Sequence, residues 1–153
     1  MKESLRTWMY RAVFNVWPCY WGTGGRVTFL SRDWREAVVR LTLSWRTRNY
    51  VGTIFGGSLY GAIDPIYMLL LINILGPGYV VWDKAACIRF KKPGRGRLEA
   101  RFRVSEDEIA AIRELAAREK SVDRVYTVEL KDRDGVVCAS IEKTVYIRRV
   151  SAP

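Results

Sequence analysis

Histidine is absent from all 153 residues. That excludes Ser-His-Asp and Cys-His nucleophile chemistry, histidine-ligated metals and histidine-based dehydratases. Any catalysis must run on carboxylates, amides, hydroxyls, lysines and backbone dipoles. Cysteine is scarce. Cys19, Cys87 and Cys138 are an odd number at wide, unpatterned spacing, which argues against a disulfide framework or a zinc site and suits a reducing cytoplasm. Each is expected to be a small buried hydrophobe. Long apolar runs are lacking too: IYMLLLINIL, residues 66–75, is too short to span a bilayer and ends in Gly-Pro-Gly. Glu3, Arg6 and Arg11 break up the start of the chain, so no secretory signal is read there. No low-complexity tract, internal repeat or linker divides the sequence. The expectation is a single cytoplasmic domain over 1–153 with no membrane span.

Acidic residues are outnumbered, 16 against 26 Lys and Arg, for a net charge of +10. Such an excess points to an anionic partner: nucleic acid, a membrane surface or a phosphorylated small molecule.

The apolar pattern alternates between two periods. Leu5, Trp8, Met9, Ala12, Val13 and Val16 fall at helical spacing, predicting an amphipathic opening helix packed on the domain and ended by Pro18. Val39, Leu41, Leu43 and Trp45 alternate with polar residues, as do Leu98, Ala100, Phe102 and Val104, predicting half-buried strands over 36–46 and 97–104. RVTFL and residues 79–92 read as further strands. Ser105 and Glu108 form a capping box before IAAIRELAAREK. Asp-Arg-Asp-Gly, 132–135, joins two final strands, about 124–131 and 136–148, as a hairpin. One helix, about 54–75, is apolar on nearly every face and must be buried all round. The pattern predicts an α+β architecture, an antiparallel sheet wrapped around a central helix.

That helix opens with Gly56 and Gly57 and carries Asp64-Pro65 two turns in. Glycines at a helix mouth fit tight packing, and they also let a ligand reach backbone N–H groups that could hold an oxyanion. A carboxylate in an apolar helix is costly unless paired or neutralised. Pro65 removes one intrahelical bond and bends the helix, and Asp64 could serve that distorted turn alone. Eight residues at ~1.5 Å each put Gly56 and Asp64 roughly 12 Å apart along the axis. A base must come within about 3 Å of the atom it activates, or act through one water. If both act on one substrate, Asp64 therefore comes from a second copy across a two-fold interface.

The stretch from Asn49 to Asp64, N-x-x-G-T-x-F-G-G-S-L-x-x-x-x-D, resembles the hotdog-fold acyl-CoA thioesterase superfamily. It is most similar to the phenylacetyl-CoA-type branch and its relatives with Asp-Pro on the central helix. The resemblance covers about 26–148, with residues 1–20 as an added N-terminal helix. It implies that Asn49 orients substrate or water, that the Gly56 N–H polarises the thioester carbonyl, and that Asp64 of a neighbouring chain is base or nucleophile. Phe55 stands where active relatives carry histidine, and the strand after the helix offers Asp83 and Lys84 where they carry a hydroxyl. Phe55, Gly57 and Ser58 would touch substrate. Lys91, Lys92, Arg95 and Arg97, with Arg46 and Arg48 as second candidates, would meet the phosphates of coenzyme A. The implied protein is a homodimer or dimer of dimers whose substrate, an acyl-CoA, brings the only coenzyme; no metal is implied. Two other readings stay open: a non-catalytic acyl-CoA or acyl-lipid binder, and a basic nucleic-acid-binding protein. Trp8 and Trp45 lie on apolar faces, which suits a core rather than a base-stacking surface.

Overall fold

A computed structural model describes residues 2–150. The elements run α1 (Leu5–Val16), α2 (Pro18–Thr23), β1 (Gly25–Leu30), β2 (Glu36–Thr42), α3 (Gly56–Gly61), α4 (Ile66–Leu75), β3 (Tyr79–Phe90), β4 (Arg97–Arg103), α5 (Glu106–Arg118), β5 (Val122–Lys131) and β6 (Val137–Arg149). The strands form one six-stranded antiparallel sheet in the order β1-β2-β4-β5-β6-β3. Its inner face packs on α3 and α4 through a core that includes Val39, Leu41, Leu98, Phe102, Ile141 and Ile147 against Leu59, Ile63, Leu70 and Leu71. The predicted α+β wrap is the observed one, and strict alternation puts those strand residues on the same side.

The central helix runs where expected, but five other local expectations fail. The distortion expected at Pro65 is there, residues 62–65 forming a turn between α3 and α4, because Pro65 has no N–H to continue the ladder. The turn's polar groups find other partners, with the Tyr20 hydroxyl donating to the Ala62 carbonyl at 3.1 Å. Burial around the helix is incomplete, since Ile72 is exposed and Met68 and Leu69 are half-buried. Strand β2 stops at Thr42, where the Thr47 hydroxyl donates to the Thr42 carbonyl and closes a turn, leaving Trp45 exposed rather than inward. Ser105 caps α5, but the Glu108 carboxylate turns away from the cap to Arg124 and Tyr126, so only half of the capping box exists. Cys138 is buried while Cys19 and Cys87 are exposed.

The fifth concerns α1. Its Asn15 side chain both donates to the Val27 carbonyl and accepts from the Val27 N–H, each at 2.8 Å. Arg11 pairs with Glu3 on the same side, where Thr7 is buried. The helix is thus docked by Thr7, Arg11 and Asn15 together with the rings of Phe14 on Tyr20 and Tyr10 on Trp34. The stripe of Leu5, Trp8, Met9, Val13 and Val16 points outward. Pro18, expected only to end α1, also opens α2, where its fixed φ suits the first helical position.

The segment Gly56–Leu75 has the length and, at a mean hydropathy of 1.6, the composition to cross a membrane. Here it is the core helix pair inside the sheet. The hairpin of β5 and β6 turns at Gly135, whose φ of +79° is the left-handed conformation such a turn requires.

Candidate active site

The helix break fixes where Asp64 points. Asp64 Oδ1 accepts a hydrogen bond from the Tyr60 hydroxyl at 2.5 Å and from Lys143 Nζ at 2.6 Å. Lys143 lies on β6 with its side chain only 1% exposed, and it also pairs with Asp83 Oδ2 of β3 at 3.1 Å. Two carboxylates therefore share one buried ammonium. Burial alone would depress the lysine, but the bond to Asp64 and the charges of both carboxylates outweigh it, and its pKa is raised. Lys143 is held as an ammonium and cannot act as a base. Burial raises the Asp83 pKa against the pull of Lys143, and the charge of Asp64 adds to that rise. Its Oδ1 is buried without a hydrogen-bond partner among the described residues. Burial, followed by the bond to Asp64, raises the Tyr60 phenol. Asp64 itself keeps 40% of its side-chain surface exposed. One of its oxygens is anchored by two donors, and the other has no hydrogen-bond partner among the described residues.

A second cluster forms at the mouth of α3. Asn49, Gly56, Phe90, Lys91, Lys92 and Gly94 line a cavity of about 450 Å³ with Thr53, Ile54, Leu59 and Pro93. Four predicted site residues thus meet in one place: Asn49, Gly56, Lys91 and Lys92. The Asn49 side chain closes the loop before α3, accepting from the Thr53 N–H and donating to the Thr53 hydroxyl, both at 2.9 Å. One of its amide protons stays free for the cavity. Phe55 is the N-cap of α3 and brings no side-chain acceptor, so the first N–H groups of the helix remain open. With only six residues in α3, those N–H groups rather than a long helix dipole are what the site has to offer. A side chain at Gly56 would come within 3.1 Å of the Phe90 ring, and one at Gly57 would strike the Phe55 ring. A side chain at either position would need the exposed Phe90 or Phe55 ring to move.

Asp64 does not line this cavity. The cavity at the glycine mouth and the Asp64 network therefore share no lining residue.

The remaining predicted residues are spread out. Ser58 is buried and Phe55 exposed. Lys84 pairs with Asp123 on the surface and is outside the Asp64 network. Arg95 and Arg97 are exposed and do not line the cavity. Arg46 lies 4.2 Å over the Trp21 ring, and Arg48 is exposed beside it.

Sequence reading missed Lys143. A signal existed: on β6, Ala139, Ile141, Val145 and Ile147 are buried at every second position, and Lys143 falls in that phase. A lysine on the inner face of a strand needs a counter-charge, and Asp64 and Asp83 were the apolar-context carboxylates available. Among the described residues no three His, Cys, Asp or Glu side chains cluster to hold a metal.

Solved structures share the architecture over nearly the whole chain. A Pseudomonas aeruginosa protein of unknown function, described as a probable thioesterase, superposes with a TM-score of 0.86 at 17% identity, covering 97% of this chain and 99% of that one. A thioesterase from Haemophilus influenzae gives 0.68 at 12% identity, covering 99% and 95%. The PaaI protein of the E. coli phenylacetic acid degradation operon gives 0.62 at 17%, covering 99% and 98%. At such identities the likeness establishes the fold, which is the hotdog fold of these thioesterases. No curated protein sequence matches the chain. A family model described as a domain of unknown function, DUF4442, matches residues 6–147, and the chain belongs to that family.

Proposed function

We propose that the protein hydrolyses an acyl-CoA thioester at a site shared between two copies of the chain. The observation that carries this reading is the tethering of Asp64, one oxygen fixed by Tyr60 and Lys143 on a carboxylate that stays 40% exposed. A carboxylate held in one orientation and half-exposed is equipped to attack a carbonyl carbon or to deprotonate a water that does. The Gly56 N–H of the other copy would receive the charge that develops on the carbonyl oxygen. Asn49 would position substrate or water in the same cavity, and Lys91 and Lys92 would meet the coenzyme phosphates. The thiolate of coenzyme A leaves, and water supplies the hydroxyl of the released acid.

The two-copy arrangement is supported by β3. Its hydrogen-bonded neighbour is β6 on one side only, and it ends the sheet as a 12-residue edge with Trp82 and Phe90 exposed. A long, apolar edge invites pairing, and an antiparallel β3–β3 contact about a two-fold axis would extend the sheet across two copies.

A second reading has its own observation. Phe55 stands where a histidine is expected, and Asp64 is the counter-ion of a fully buried lysine. On that reading Asp64 is structural and the protein binds acyl-CoA without turnover. One experiment separates the two: purified protein and its Asp64→Asn variant, assayed against acyl-CoAs from acetyl to palmitoyl and phenylacetyl. Hydrolysis by the parent and its loss in the variant supports the enzyme. Saturable binding without hydrolysis supports the binder.

A further inference from the structure

The outward stripe of α1 joins with α2 in a single apolar surface. Leu5 is 75% exposed, Val16 69%, Trp17 59% and Val13 57%, with Trp8, Met9 and Trp21 each half-exposed or more. Asn15 and Arg11 dock the other side of the helix, so this face is outward by construction. Between it and α4 runs an apolar groove of about 850 Å³, floored by Pro65, Met68 and Leu69. An exposed apolar area of this extent on a water-facing protein marks a surface that something covers.

We infer that α1 and α2 form a docking face for a lipid bilayer carrying anionic headgroups. Two further observations choose this occupant. Arg6 lines the groove and Arg46 stacks on Trp21 at the α2 end, in a chain of net charge +10. Residues 5–23 contain no acidic residue, and Glu3 is neutralised by Arg11 on the docked side. Charge complementarity therefore favours an anionic surface. Three of the six tryptophans, Trp8, Trp17 and Trp21, stand exposed within 14 residues of one another. Indole rings with one apolar body and one N–H sit most favourably at the boundary between headgroups and acyl chains. Arg46 stacked on Trp21 couples the two features at one point. The helix lies flat in the interface, with its apolar stripe entering the acyl boundary and Arg6 at phosphate level. This face is distant in role from Asp64 and Gly56, and the inference stands whether or not the protein hydrolyses thioesters.

The test is sedimentation of the full-length protein with sucrose-loaded vesicles of phosphatidylcholine alone, or of phosphatidylcholine and phosphatidylglycerol at three to one. The expected result is binding to the anionic vesicles, weakened by salt, with a blue shift of tryptophan emission. Arg6→Glu should lower the partition by at least about fivefold. Leu5→Glu/Val16→Glu should lower it by about 100-fold or more, with circular dichroism and the unfolding midpoint unchanged because both residues are exposed. Equal partition to both vesicle types, or to neither, overturns the inference. So does a double variant that retains binding. A loss of oligomer mass in Leu5→Glu/Val16→Glu by light scattering, with no vesicle binding by the parent, would instead give this face to a second copy.

Discussion

Two ionic clusters sit on the same sheet and are built on opposite principles. Glu108, Arg124 and Tyr126 join α5 to β5: the guanidinium meets both carboxylate oxygens, through Nε at 2.9 Å and Nη2 at 2.5 Å, and Tyr126 donates at 2.8 Å. One negative charge meets one positive charge, and all acceptors are used. Asp64, Asp83, Lys143 and Tyr60 join the helix break to β3 and β6 with two carboxylates for one ammonium. One oxygen is buried without a partner, and one carboxylate is half-exposed. The first cluster is complete without a ligand; the second retains acceptor capacity at a half-exposed carboxylate. That difference separates a strut from a candidate site.

The largest effect should come from removing the available carboxylate. Asp64→Asn keeps size and hydrogen bonding but cannot act as base or nucleophile, so turnover of an acyl-CoA should fall by about 10²–10⁴-fold with little loss of fold. The same change at Glu108, Glu108→Gln, should leave turnover intact. If both variants lose activity equally, the contrast between the clusters collapses.

Next in size is Lys143→Met. It leaves Asp64 and Asp83 facing each other without their cation, which should cost about 3 kcal/mol in urea unfolding. Glu108→Gln should cost less, about 1–2 kcal/mol, because the Tyr126 hydroxyl keeps an acceptor.

The pH profiles sharpen the comparison further, because the shifts have opposite signs. Burial would raise the Glu108 pKa, but the Arg124 and Tyr126 bonds outweigh it and the carboxyl is lowered. Its contribution is therefore present above the unfolded carboxylate value and lost as pH falls through the folded one. Asp83 is raised, so its native form binds the extra proton, and stability on its account falls as pH rises above 3.8. Lys143 is raised, so its contribution is full below 10.5 and lost as pH climbs past the folded value. Unfolding midpoints measured across pH should show a shallower acid limb for Glu108→Gln and a shallower alkaline limb for Lys143→Met.

The smallest effect tests the cavity at Gly56. Lys92→Glu should raise KM for an acyl-CoA by roughly fivefold at low salt with kcat unchanged, since an exposed charge contributes about 1 kcal/mol at most. The difference should shrink as salt is added.

Much of this was legible in the residues. Period-two alternation placed Leu98, Ala100, Phe102 and Val104 inward, and Asp-Arg-Asp-Gly placed the last hairpin, because those signals depend on backbone geometry alone. What stayed hidden needed partners from distant sequence. Lys143 sits 79 positions from Asp64, so nothing local names its counter-ion. The direction of α1 was hidden for the same reason: an amphipathic pattern identifies the apolar face, while here Asn15 and Val27 decide which face docks. Trp45 fell outside because alternation continued past the turn that Thr47 closes.

The buried ammonium has one more consequence, which concerns what does not react. A free amine next to a thioester takes the acyl group itself and keeps it as an amide, a stable adduct that ends turnover. Lys143 is sealed from solvent and holds its proton between two carboxylates, so it has no lone pair to offer. If Asp64 reacts as proposed, a cation can thus stand beside it without competing with water for the acyl group.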